Sequence, residues 1–422
     1  MRGSSNSPFG VLRHRRFATF WAAAVVSDVG TWMQAVAVGT LVAKVTGKAS
    51  STGLVAIAAF LPQSVVSPVA GVLADRFDRR RMMMVCLGMQ MSITFVLGLV
   101  LAGSSLQVGL VSALIFGQGT ASACAMPAGQ ALMPDLVPRE DLQKAVSLGT
   151  VSWNSGRILG ALLASVLGVW LSASGIVFAN AVSFAVLLFA IGTLRGSYRA
   201  QGNERTRFVA ELRNGLHVVR TTPGCRFGLL GSVVLQLLIT PFIGLIPIVA
   251  TELLHGGRSL TSALTIANGV GAVFAAVLST YLLAWVGRPR SIIAFATVGC
   301  VSLAAYSRAT HPTVAVGIVA LLGFATLGLF VNLAGILQRD APAATRGRVL
   351  SIGNATNGLC YSTGVLATGT LGDHFGLRNM LLVDACAASV VLGYFVVVRR
   401  DVWRLAAHGD PASRRWQRRL AA

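Results

Sequence analysis

From Phe17 onward the chain is a succession of long apolar runs, with charged residues confined to the short segments between them. A helix needs about 20 apolar residues to cross the hydrocarbon of a bilayer, and within that layer only helices or closed barrels satisfy their backbone polar groups. The runs are too long and too evenly apolar for alternating barrel strands, so an all-α polytopic membrane protein is predicted. Hydrophobic residues at 54% and a mean hydropathy of +0.71 agree, since soluble domains stay near 45–50% apolar.

Dividing the runs by the spanning length predicts twelve transmembrane helices, at about 17–43, 52–74, 82–102, 107–133, 148–171, 176–194, 227–250, 261–284, 290–307, 313–337, 349–371 and 379–398. The start resembles a signal peptide in outline, but its apolar run is too long and has no clear cleavage site, so it is expected to be retained as the first helix. A net charge of +21 would suggest nucleic acid in a soluble protein; here it reads as topology. Of 35 Lys and Arg, 29 fall on one side of the predicted membrane. The other side has Lys44, Lys48, Arg258, Arg308 and Arg378, and Arg157 lies within a span. By the positive-inside rule both termini are expected in the cytoplasm of a bacterial inner membrane.

The longest charged connection, 195–226, divides the chain into halves at 1–194 and 227–398, followed by a basic tail at 399–422. That tail is expected to meet anionic lipid headgroups, not nucleic acid. The connection contains ELRNGLHVVR, an amphipathic helix expected along the membrane surface. The second half echoes the first at one fixed spacing: Pro138 with Pro342, Lys144 with Arg348, Gly160 with Gly364, Gly168 with Gly372, Asn180 with Asp384. Two related six-helix halves suit alternating access, in which cargo binds near the midplane between halves that rock. The six cysteines, 86, 124, 225, 300, 360 and 386, show no CxxC spacing and read as small apolar residues. GxxxxGK[ST], HExxH, GxSxG and metal-ligand spacings are absent, so no enzyme, cofactor or metal is expected.

The segment GVLADRFDRRR, Gly71 to Arg81, resembles the loop signature of the major facilitator superfamily, G-x-L-a-D-R/K-x-G-R-R/K. Gly71, Leu73, Asp75, Arg76, Arg79 and Arg80 match, and Asp78 replaces the second Gly. SDVGTWMQ (27–34), MPAGQALMPDLVPREDLQKAVSL (126–148) and RGRVLSI (346–352) are similar to the branch of enterobactin exporters and transmembrane secretion effectors. Arg346 and Arg348 form the second-half cytoplasmic motif. The resemblance implies a gate in which Asp75 meets the start of span eleven near Gly347 to Ser351. The antiporter signature of span five is partial: Gly156 and Gly160 fit, and Ala161 stands in place of Pro. Those glycines also permit close helix approach.

Three ionisable residues fall within spans, Asp28, Arg157 and Asp384. Asp28 and Arg157 are the proton-coupling candidates, read as an ion pair that protonation would open or as a permanent structural pair. Asp384 is expected near the outer interface in a structural role. Trp32, Gln34, Gln118, Asn154 and Asn332 are the cavity candidates; Trp21, Trp153 and Trp170 are read as packing or interfacial. Pro241 and Pro247 are expected to loosen helix bonding around FIGLI. The expectation is a monomeric secondary transporter in the lipid bilayer, with protons as coupling ion and a small amphipathic cargo such as a siderophore, antibiotic or other secondary metabolite leaving the cell. An importer of a small metabolite, or a non-transporting membrane sensor or assembly protein, is the alternative.

Overall fold

The computed structural model describes residues 8–194, 208–342 and 345–397. A 3₁₀ turn at Pro8–Arg13 leads into α1 (Arg15–Thr46), α2 (Ala49–Arg76), α3 (Arg79–Ala102), α4 (Val108–Leu136), α5 (Leu142–Leu167) and α6 (Ala173–Gly192). After α7 (Phe208–Thr221), the seventh apolar run is broken into α8 (Pro223–Val234), a π-helical turn Leu235–Ile239, α9 (Phe242–Ile248) and a second π-helical turn Val249–Leu253. Then follow α10 (Gly257–Val286), α11 (Arg288–Arg308), α12 (Pro312–Asp340), α13 (Arg346–Phe375) and α14 (Leu377–Val397). Each predicted span has its helix, and the π turns lie where Pro241 and Pro247 deprive the backbone of N–H donors.

Among the described residues, ten segments are long and apolar enough to cross a membrane on length and composition. The two that are not, α5 and α13, hold equivalent places in the two halves and run for 26 and 30 residues. They are the polar pair, carrying Ser152, Asn154 and Arg157 in one and Asn354, Asn357 and Thr368 in the other.

The chain packs as two compact units, Met1–Gly47 with Leu54–Glu204 and Gly257–Ile266, and Lys48–Gly53 with Arg205–Gly256 and Ala267–Ala422. Two short segments, Lys48–Gly53 and Gly257–Ile266, pack in the other unit from their sequence neighbours. At the first, Ala49 and Ser50 direct their free amides, at the start of α2, to the carboxylate of Asp373 at 2.7 and 3.1 Å. At the second, Arg258 Nη1 donates to the carbonyls of Gly168 and Leu171 beyond the end of α5. Both satisfy the groups that a helix end leaves unbonded, with the sign of charge its dipole favours.

In the first unit α5 turns Ser152, Gly156, Gly160 and Ala164, one residue per turn, to α1. A Cβ on Gly160 would lie 2.5 Å from the carbonyl of Val29, so this seam requires glycine. A second core joins Phe17, Phe20, Leu132, Leu148, Phe184 and Ile191. In the second unit Phe295 packs against Phe324 and fills the space beside Gly328. The linker helix α7 packs on the start of α13, where Gly215 approaches Ile352 and Arg348. All six cysteines are free thiols.

Candidate functional site

The GVLADRFDRRR turn is built to start one helix and pin two others. Asp78, the departure from the superfamily signature, is the N-cap of α3: its side chain accepts from the Arg81 amide at 2.8 Å. A glycine there would leave that amide without its side-chain partner. Arg79 pairs with Asp135 of α4 at 3.0 Å, and Arg80 donates to the carbonyls of Ile191 and Gly192 at the end of α6. The side chains of Gly71, Asp75 and Arg76 lie outside the described residues, and so does the Asp75 gate. Arg346 is exposed at the start of α13, and Arg348, one turn in, is half-buried beside α7. The basic tail also lies outside the described residues.

On the same side, before the first residue of α5, Asp141 gathers three basic side chains. Arg13 and His14 lie 3.0 Å from Oδ2 and Lys144 lies 3.1 Å from Oδ1. The His14 hydrogen bond, then that of Lys144, holds the carboxyl down at about 2. Asp141 thereby straps the segment preceding α1 to α5.

Deeper in the unit, the seam between α1 and α5 carries the ionisable pair. Asp28 is half-buried and accepts the Ser152 hydroxyl at 2.5 Å. It is not ion-paired with Arg157, which corrects the pairing expected from sequence. Arg157 instead places its guanidinium 5.9 Å from the centre of the Trp32 ring, within cation–π range. Trp32 in turn meets Trp153 edge to face at 5.4 Å. The reason is helix geometry: Ser152 and Gly156 are one turn apart on the face toward α1, and Gly156 approaches Asp28 so closely that Ser152 is the donor in reach.

The amides expected in a cavity are internal. Asn180 Nδ2 donates to Gln34 Oε1 at 2.7 Å, Gln34 Nε2 donates to Gln118 Oε1 at 2.7 Å, and Ser183 donates to Asn180 Oδ1 at 2.9 Å. Gln34 and Gln118 are only 5% and 7% exposed, so they serve as a bond between α1, α4 and α6 and not as an open cavity wall. Asn332 is also buried and donates to the carbonyl of Gly328 in its own helix. The side chain of Asn154 lies outside the described residues. Trp21 bonds the Leu148 carbonyl, as a packing residue does, and Trp170 is exposed.

Ser152 and Ser183 escaped the sequence reading, and Asn180 enters it only as the counterpart of Asp384. Small hydroxyls and single amides carry little signal in an apolar run, and only the spacing of Ser152 ahead of Gly156 and Gly160 hinted at a shared face. In the second unit Asp384 is buried and bonded to Thr368. A cavity between α8, α11, α12 and α14, lined by residues such as Phe227, Leu333 and Phe395, is apolar throughout and has no group to orient a ligand.

The profile of transmembrane secretion effectors matches residues 6–422. The chain belongs to that family, within the major facilitator superfamily. This secretion-effector family member is thus a membrane transporter and not an enzyme. It is 25% identical over 406 residues to the uncharacterized MFS-type transporter YfiS of Bacillus subtilis, covering 91% of this chain and 93% of that one. It is 29% identical over 252 residues to macrolide efflux protein A of Streptococcus pyogenes, 57% of this chain and 60% of that one. It is 25% identical over 371 residues to multidrug efflux pump Tap of Mycolicibacterium fortuitum, 85% and 90% respectively. The nucleoside transporter NupG has the same fold, with a TM-score of 0.73 at 12% identity over 91% of this chain and 99% of that one. The twelve-helix major facilitator architecture follows.

Proposed function

We propose that this transporter exports a small amphipathic molecule, an antibiotic or related secondary metabolite or a siderophore, in exchange for protons, and that Asp28 is the group that takes up the proton. The observation that carries this reading is the bonding of Asp28, an acid near the middle of a membrane helix whose partner is a neutral hydroxyl. A hydroxyl donates to a carboxylate or accepts from a carboxylic acid, so it serves both protonation states. Arg157, on the same face of the pair of helices, supplies the charge that an ionised Asp28 would turn toward. Proton entry then exchanges an Asp28–Arg157 attraction for the Asp28–Ser152 bond and shifts the balance between conformations.

The efflux direction is supported by relatives named for macrolide and multidrug efflux. The arginine asymmetry supports a bacterial inner membrane with both termini in the cytoplasm. Transport of erythromycin into inverted vesicles energised by a proton gradient tests the reading. Asp28→Asn should abolish gradient-driven uptake at unchanged protein level; uptake that persists at the wild-type rate defeats the assignment of Asp28, and no uptake by the wild type of any compound in a macrolide and dye panel defeats efflux.

A further inference from the structure

The second unit holds a buried acid for which the Asp28 reading has no use. Asp384 lies seven residues past Leu377, the first residue of α14, or about 10 Å along the axis. It is 7% exposed. Thr368 Oγ1 of α13 donates to its Oδ2 at 2.7 Å, and no described cation lies within 4 Å. Oδ1 makes no hydrogen bond, and it is not among the fully sealed, unbonded atoms.

The first unit shows what the same place looks like without an acid. Gly160 packs on the carbonyl of Val29 and Gly364 on that of Leu237; Gly119 packs on α2 and Gly323 on α10 in the same way. These paired contacts set the correspondence of the helices. Gln34 answers to Phe242, Gln118 to Leu322, Ser183 to Ala387, and Asn180 to Asp384. Every group that bonds Asn180 in the first unit is therefore apolar in the second, where Phe242 and Leu322 are fully buried. In exchange, Thr368 stands where the first unit has Ala164.

A carboxylate at that place has one neutral donor and hydrocarbon elsewhere, and an isolated buried charge is relieved by neutralisation. The elements packed against α14 are α11, α13 and the Leu235–Ile239 turn. Their titratable and charged groups do not relieve it. Arg378 of α14 itself donates to the carbonyls of Ala309 and Leu253. Asp373 is held by the amides of Ala49 and Ser50, and His374 and Arg308 are exposed at helix ends. Tyr306 packs on Phe242, and Cys300, Cys360 and Cys386 are thiols. Tyr361 is a neutral phenol seven residues before Thr368 on α13. Arg288 and Arg290 begin α11, Arg346 and Arg348 begin α13, and the π turn carries no titratable side chain.

We propose that Asp384 is a proton-binding site of the second unit, occupied in this conformation and exchanging with water from the Leu377 end of α14. On loading, a hydronium ion gives its proton to Oδ1, forming an O–H bond and leaving water; Thr368 remains the donor to Oδ2. On unloading, the proton returns to water and the carboxylate is left with Thr368 alone. An amide cannot do this, which is the difference between positions 180 and 384.

Infrared spectroscopy of the purified, full-length protein in lipid, in light and heavy water, reads the acid directly and needs no cargo, so the result stands apart from the efflux reading. A carbonyl-stretch band of a protonated carboxyl group, shifted by deuteration, should be lost in Asp384→Asn and kept in Asp28→Asn. In Thr368→Val the band should move in frequency, because the carboxyl group has lost its hydrogen-bond partner. Spectra of Asp384→Asn that superimpose on wild type at every pH overturn the proposal. If that variant does not fold, a Thr368→Val band unchanged in frequency overturns it equally.

Discussion

Gly156→Ala adds one methyl group at the closest point between α5 and the acid-bearing turn of α1. The new Cβ would sit 2.7 Å from the Cβ of Asp28, 3.0 Å from its carbonyl carbon and 3.2 Å from the Val29 amide nitrogen. Carbon atoms pack favourably at about 3.5–4.0 Å, so α1 must retreat by about 1 Å. Two of the three neighbours are backbone atoms of a continuous 32-residue helix, which cannot yield one at a time. The same retreat stretches the 2.5 Å bond between Ser152 and Asp28 to about 3.5 Å, the limit of useful geometry. Overpacking costs about 1–3 kcal/mol and the lost bond about 1–2 kcal/mol, offset by up to about 1 kcal/mol of helix propensity. The net loss is about 1–5 kcal/mol. Gly88→Ala supplies the contrast: nothing lies within 4 Å of its added methyl, so only the propensity gain of up to about 1 kcal/mol applies. Thermal unfolding of the purified proteins should therefore move in opposite directions for the two substitutions, with proton-driven transport reduced only in Gly156→Ala. A Gly156→Ala protein as stable and as active as wild type refutes the account of the seam.

Gln34→Leu removes the middle of the amide chain and leaves the side chains of Asn180 and Gln118 short of a partner in a buried place; each unmet group costs about 1–3 kcal/mol, measurable as a lowered midpoint of thermal unfolding. Arg258→Met should loosen the end of α5 by about 1–2 kcal/mol, read as faster proteolysis between Gly168 and Ala173, because the carbonyls of Gly168 and Leu171 lose a charged donor. The Asp141 carboxyl titrates at about 2 when folded, below its ordinary 3.8, so its strap contributes fully above 3.8 and is lost as pH falls toward 2. Asp141→Asn should remove that acid-side dependence, followed by the fluorescence of Trp21, which bonds α5 at Leu148.

The membrane makes some features legible from composition alone. Hydrocarbon leaves each backbone group to be bonded within its own segment, so the length of an apolar run fixes a helix irrespective of its neighbours. The twelve helices, the equivalence of the halves and the unwinding near Pro241 and Pro247 all follow from such local rules. Even the fifth and eleventh helices, polar beyond the ordinary measure of a span, were found from their length and flanking charge.

The rotation of each helix about its axis was not legible, because lipid and protein interior are both apolar and leave no amphipathic stripe. On α6, Phe184 is 2% exposed and Phe189 is 77% exposed, though both sit in one unbroken apolar run. For that reason the faces on which Gln34 and Gln118 lie are not legible in the sequence, and Asp28 reads as a partner of Arg157 where packing supplies Ser152. The sequence by itself determined how many helices there are, where they turn and which ends carry charge. The tertiary structure alone decided which buried polar groups meet, since those bonds join different helices, 124 positions apart for Asp28 and Ser152 and 84 for Gln34 and Gln118, and depend on glycine seams that fix how closely two helices approach.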